Sequence, residues 1–191
     1  DHSSDPKVIS TLKEFRDLDS RIKINFRKKN GHISACSNSA LENCIGEYIV
    51  LLDHDDELRP HSLLRIAETL KKNSKIQFLY SDEDKIDEVN NRFQPYFKPD
   101  WNPDLLLSQN YICHLACIKK DLIEDAGGFR VGYEGSQDWD LFLRVTEKLK
   151  PDKISHIPEI LYHWRSYVAS TASSLKNKEY AIGAAQKSLN D

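Results

Sequence analysis

The stretch Tyr48–Pro60, YIVLLDHDDELRP, decides how the rest of the chain is read. Its opening run, Tyr48 to Leu52, is apolar in the manner of a strand buried on both faces, and it stops abruptly at Asp53, His54, Asp55 and Asp56. Carboxylates this close repel one another, so a folded chain tolerates them best where a cation neutralises them, and hard divalent ions take oxygen ligands. Open α/β folds place their ligands beyond the C-terminal ends of the strands, which is where this cluster would lie. The plain alternative is a solvated acidic turn ahead of a helix that begins at Pro60.

Outward from that stretch, the N-terminal side reads as turn and capping residues, DHSSDP, then a helix from Pro6 with Val8, Ile9, Leu12 and Phe15 on one face. The alternation in IKINFR predicts a short strand over Ile22–Arg27. A helix over Ile33–Ile45 then closes on Gly46. On the C-terminal side, Leu63, Leu64, Ile66, Ala67 and Leu70 mark a helix, and Ile76–Tyr80 a strand that ends in a second acidic run, SDEDKID. Val89–Asn110 is too rich in proline for a central strand and is expected as an ordered loop with a short helix over Pro103–Ser108. Tyr111–Ile118 is strand-like, and Lys119–Asp125 is a helix stopped by Gly127 and Gly128. The segment GYEGSQDWDLFLRVTEKL leads a loop into another helix, Ile154–His163 gives a strand pair around Pro158, and Lys176–Leu189 is a polar terminal helix. Strands alternating with helices imply an α/β fold with a mostly parallel sheet and crossover helices.

With 191 residues and 39% hydrophobic content, the composition is that of an ordinary globular protein able to bury about 70% of its unfolded surface. A net charge of −3 argues against a nucleic-acid partner. No apolar run approaches the roughly 18 residues of a membrane-spanning helix and no signal peptide is visible, so the expectation is a cytoplasmic protein that meets the inner face of a membrane through other parts, if at all. Cys36, Cys44, Cys113 and Cys117 lack metal-site spacing and read as small buried hydrophobes.

Three positions stand out chemically. Asp53 and Asp55 are spaced to reach one ion on a loop leaving a strand. Asp138, at the start of a helix in SQDWDL, has the placement of a general base, because a helix N-terminus favours a carboxylate. His163, in YHWR, follows a strand and is flanked by Trp164 and Arg165. The structural alternatives are a helix-capping acid for Asp138 and a satisfied core histidine for His163.

Taken with NGHISACSNSALENCIGEYIVLLDHDDELRP, YSDEDKID, YFKPDWNPDLLLSQNY, GGFRVGYEGSQDWDLFLRV and HIPEILYHWRSYVASTA, these residues resemble the inverting family 2 glycosyltransferases of the GT-A fold. The nearest likeness is to the bacterial subgroup that builds O-antigens, capsules and rhamnan-type polymers. The resemblance implies a divalent cation (Mn2+ or Mg2+), a nucleotide-diphospho-sugar donor, and a glycan or lipid-linked saccharide acceptor. It puts Asp53 near the donor ribose or metal, Asp55 and His163 on the metal, Arg165 and Asp1 on the donor, and Asp138 on the acceptor hydroxyl as the base. The acceptor side falls to Asp82, Asp84, Trp101 and Trp139. As domains, it implies one partial GT-A unit over 1–191: residues 1–57 in the nucleotide-sugar and metal half, 58–165 in the acceptor and catalytic half, and 166–191 as a tail helix. The family's first strand and most of its second have no counterpart in these residues, which would leave apolar sheet edges exposed. Two other readings stay open: a non-catalytic nucleotide-sugar or glycan-binding domain within a larger polysaccharide synthase, and a metal-dependent phosphohydrolase.

Overall fold

The computed structural model describes residues 5–166 and 175–191, with 175–178 described in backbone only. The first helix, α1 (Pro6–Leu18), starts where a good cap and a proline coincide: Asp5 accepts from the Lys7 amide at 2.8 Å and Pro6 needs no donor of its own. The helix α2 (His32–Leu41) stops short of the expected Ile45. Strand β1 (Tyr48–Val50) leads through the acidic loop to β2 (Glu57–Leu58) and the amphipathic helix α3 (Ser62–Lys72).

Strand β3 (Phe78–Ile86) is the spine of the molecule, and β4 (Arg92–Tyr96) folds back on it through a turn in which Asp87 Oδ1 accepts from the amides of Val89 and Asn91. Then come α4 (Pro103–Ser108), β5 (Ala116–Lys119), α5 (Lys120–Asp125), α6 (Gln137–Thr146), a short 3-10 turn (Pro151–Lys153), β6 (Ile154–Arg165) and α7 (Leu175–Asn190).

The sheet runs β1-β5-β3-β6-β2, with β4 beside the distal half of β3. It is α/β as expected, but mixed rather than mostly parallel. Among the described residues only β3 and β6 run parallel, while β1·β5, β2·β6, β3·β4 and β3·β5 are antiparallel. The alternation of elements gave no sign that β5 returns against both β1 and β3. Three further differences concern strands. Ile154–Arg165 is one long strand with a register shift near Pro158 rather than a pair. Pro95 is accommodated because β4 pairs on one side only. The third is that Ile22–Arg27 joins no ladder, since no strand lies beside it among the described residues.

Period-2 alternation divides the core between the two faces of the sheet. Phe78, Tyr80, Ala116 and Ile118 face α5 and α6 and pack with Phe142, Leu141 and Val145. Leu79, Cys117 and Tyr162 face the other way and pack with Ile66 of α3, joined by Leu161 at the register shift of β6. The Phe78 and Phe142 rings meet edge to face at 5.5 Å. β1 is the sheet's edge and is only half-buried, contrary to the expectation of a fully buried strand. Its free edge lines a groove of about 1040 Å3 whose other walls include Ile9, Leu12, Ile22, Ile24 and Ile45. All four cysteines are free, and only Cys117 is fully buried. No helix among the described residues is long and apolar enough to cross a membrane.

Candidate active site

Leu51 continues beside β5, its amide donating to Ala116 O at 3.1 Å, and the chain then turns so that the Asp56 amide reaches Asp53 O at 3.3 Å. That turn brings the Asp53 and Asp56 carboxylates together with the ring of His114, from the segment preceding β5. One ligand atom from each lies within 4.8 Å of the others. His114 Nε2 stands 3.9 Å from Asp53 Oδ2. Its ring is stacked on Tyr162 at 4.6 Å, with Trp164 edge-on at 6.3 Å, while its Nδ1 is buried without a hydrogen-bond partner.

Tyr162 ties the group together, since its hydroxyl donates to Asp56 Oδ2 at 2.5 Å and accepts from the Asp53 amide at 3.2 Å. Asp56 also accepts from the Arg165 amide at 2.8 Å. Burial pushes the Asp56 carboxyl above its ordinary value, against the lowering pull of these two hydrogen bonds, and pushes the Tyr162 hydroxyl up as well. Two carboxylates and an imidazole, partly shielded and with lone pairs to spare, are a donor set that suits Mn2+ or Mg2+.

The sequence placed the cation differently. Asp55 lies outside this converged group; its carboxylate is half-exposed, 3.8 Å from His54 Nδ1. His163 is not a neighbour of the acidic loop's carboxylates but a buried partner of Asp84, to which its Nδ1 is bound. The reason is strand parity: Tyr162 and Trp164 face His114, so His163 between them points to the opposite side of β6. Arg165 does reach the loop, yet its guanidinium is spent on Asp55 O at 2.9 Å, Asn90 Oδ1 at 2.8 Å, Asp87 O at 3.2 Å and Glu57. It braces the loop from within instead of reaching outward to a donor. Asp1 lies outside the described residues.

Asp82 and Asp84 also depart from expectation. Both sit inside β3 rather than after it, each 3% exposed. Asp82 accepts from the Lys98 amide at 2.9 Å and pairs with His156 Nε2 at 2.8 Å; Asp84 is held by Arg92 and His163. Buried and paired in this way, both carboxylates have their hydrogen bonds met inside the protein. Trp101 is half-buried against the core formed around Phe78 and Tyr80. Trp139 is largely buried, its indole N–H spent on Leu106 O at 2.8 Å, with one edge lining a cavity of about 360 Å3 beside Asn110, Ser136, Ala181 and Ile182.

Asp138 lies in the first turn of α6, half-buried, and accepts from Asn110 Nδ2 at 2.8 Å. Gly135 allows the approach to that turn: its φ is +88°, and a Cβ there would come within 2.5 Å of Tyr180 and 2.9 Å of Ala181 Cβ on α7. Asp140, two residues on, points into the molecule and is clasped by Arg130 and Arg144. Asn110 and His114 bracket one short segment, so a single loop runs from Asp138 to the acidic group. The sequence shows Asp56 within the acidic cluster without giving it a role of its own, and gives none to His114, Tyr162 or Asn110; the signal for His114 is a histidine set in the apolar run of YICHLACIK.

Residues 1–127 match the family model described as glycosyl transferase family 2. An uncharacterized protein of Sinorhizobium fredii is 42% identical over the whole chain, which spans 21% of that protein. The O-antigen biosynthesis protein RfbC of Myxococcus xanthus is 34% identical, again over the whole chain, which spans 15% of it. The chain thus covers about a fifth or less of these relatives' length. Among solved structures, the mannosyltransferase PcManGT of Pyrobaculum calidifontis, determined with GDP-Man and Mn2+, superposes with a TM-score of 0.69 at 14% identity, over 100% of this chain and 54% of that one. Sequence and fold agree: the chain belongs to glycosyl transferase family 2 and has the GT-A fold.

Proposed function

We propose that the chain is the nucleotide-sugar and acceptor unit of a metal-dependent, inverting glycosyltransferase that extends a cell-surface glycan or lipid-linked saccharide. The observation that carries this reading is the convergence of Asp53, Asp56 and His114, linked by the Asn110–His114 segment to Asp138. Asp53, Asp56 and His114 would hold the cation, Mn2+ or Mg2+, with Asp55 on the same loop outside that group. The cation supplies charge neutralisation for the departing diphosphate.

Asp138 does the proton chemistry. It takes the proton of the acceptor hydroxyl while that oxygen bonds to the anomeric carbon and the bond from carbon to diphosphate oxygen breaks, with inversion. Asn110 leaves one Asp138 oxygen committed and the other free to receive that proton. The acceptor lies along the cavity of Asn110, Ser136, Trp139 and Ala181, where Asn110 also holds Asp138. In domain terms, residues 1–57 serve the donor, 58–165 the acceptor and the base, and 166–191 close the unit. His114 makes the division overlap at the cation.

The direct test presents the full-length protein with a panel of nucleotide-diphospho-sugars and Mn2+, and measures released nucleoside diphosphate. Release with at least one donor, abolished by chelator and restored by Mn2+, is expected. No release from any donor, or release indifferent to chelator, contradicts the reading.

A further inference from the structure

We infer that the buried Lys98–Glu83 pair is a positioning device, clamping the Ile112–His114 backbone and so fixing the cation group and Asp138 relative to each other. The inference rests on the proposed function for what the clamp positions, but the clamp itself is read directly from contacts. The Lys98 side chain is 0% exposed. An ammonium has three N–H donors, and all three are used: on Glu83 Oε2 at 3.1 Å, on Ile112 O at 2.6 Å and on His114 O. Glu83 Oε2 in turn accepts from the His114 amide at 2.9 Å. Both backbone polar groups of His114 are therefore gripped, one by each member of the pair. Glu83 stands on β3, the most buried strand, so the grip is anchored in the rigid centre of the sheet.

The clamped segment ends in one candidate site side chain and closely follows another. Its last residue, His114, turns its ring to Asp53; just before it, Asn110 holds Asp138 and also accepts from the Cys113 amide at 3.3 Å. Strand β5, which starts two residues after His114, cannot set this geometry alone, because the ladder begins only at Ala116. A buried ion pair is poor value as a stabiliser, since desolvation offsets most of its attraction. What it supplies here is direction, with three acceptors from two segments fixed about one nitrogen.

The test uses the full-length protein, with Mn2+ alone as the probe of the site, followed by the EPR signal of free Mn2+, and with amide hydrogen exchange at Ile112–His114. Lys98→Met should lower the melting temperature, weaken Mn2+ binding at least about tenfold and speed exchange in the segment. A merely structural role is separated by the double variant Lys98→Met with Glu83→Gln. It leaves no unpaired buried charge and keeps an acceptor for the His114 amide, so its melting temperature should recover. Mn2+ binding should nonetheless stay weak and exchange fast. Recovery of wild-type Mn2+ affinity in the folded double variant overturns the inference, as does unchanged exchange. Should neither Met variant fold, Lys98→Arg decides. Its planar fork keeps the charge but cannot place three donors on the same acceptors, so a folded Lys98→Arg with wild-type Mn2+ affinity and exchange also overturns it. Wild-type protein whose Mn2+ binding is absent, or indifferent to His114→Ala, sinks the proposed cation site instead, and the exchange comparison then judges the clamp separately.

Discussion

Two acidic runs, DHDD at Asp53–Asp56 and SDED at Ser81–Asp84, look alike on paper and end up in opposite situations. The first follows a half-buried edge strand, and two of its carboxylates, Asp53 and Asp56, converge with a histidine. The second lies within the central strand, where every acid is met by a cation or an imidazole: Asp82 by His156, Glu83 by Lys98, and Asp84 by Arg92 and His163. What separates a site from a structural network is therefore what the fold brings opposite the acids, not how many acids there are. The same contrast recurs two residues apart on α6. Asp138 has one neutral partner in Asn110, whereas Asp140 is enclosed by Arg130 and Arg144.

The largest expected effect comes from breaking the open member of that second pair. Asp138→Asn should cut turnover by about 10² to 10⁴ while Mn2+ binding and melting temperature stay close to wild type. Steady-state kinetics alongside a thermal melt would check this, and a variant that keeps most of its turnover would mean the base has been misassigned.

The neutralised member should behave the opposite way. Asp140 is fully buried, so Asp140→Asn leaves two guanidinium groups facing a neutral amide in a shielded site and should cost on the order of 3 kcal/mol of stability. Turnover per folded molecule should be unchanged. Denaturant unfolding together with active-site-normalised rates would show it. If Asp140→Asn loses turnover without losing stability, the division between open and neutralised acids fails.

Much of the fold could be read in the chain because its boundaries carry local chemistry: Asp5 and Pro6 open α1, Asn102 caps α4 with Pro103 behind it, and Gly127 and Gly128 take positive φ after α5. The distribution of the second acidic run could not be read that way. Two of its partners are remote, His156 74 residues from Asp82 and His163 79 residues from Asp84, and nothing near SDED signals them. The polar run therefore reads as the end of a strand that in fact continues to Ile86.

The site was half legible for a related reason. Asp53 follows β1 and Asp138 opens α6 as their local sequence predicts, because each position is set by its own strand end or helix start. That His163 turns away from the acidic loop while Tyr162 faces it cannot be read locally, because the parity of a strand depends on its register with β3, which only the folded sheet defines. His114 offers the acids its ring only once β5 has paired with β1, an antiparallel contact that the order of elements did not reveal.

The central claim is that the first acidic run binds a divalent cation with His114 and the second does not. Mn2+ titration of the full-length protein, read by EPR, tests it most directly across wild type, Asp53→Asn, Asp56→Asn, His114→Ala and the buried control Asp84→Asn. The account predicts at least about tenfold weaker binding in Asp53→Asn, Asp56→Asn and His114→Ala, and wild-type affinity in Asp84→Asn once allowance is made for any unfolded fraction. Unaltered Mn2+ binding in Asp56→Asn and His114→Ala, or a loss as large in Asp84→Asn, would contradict it.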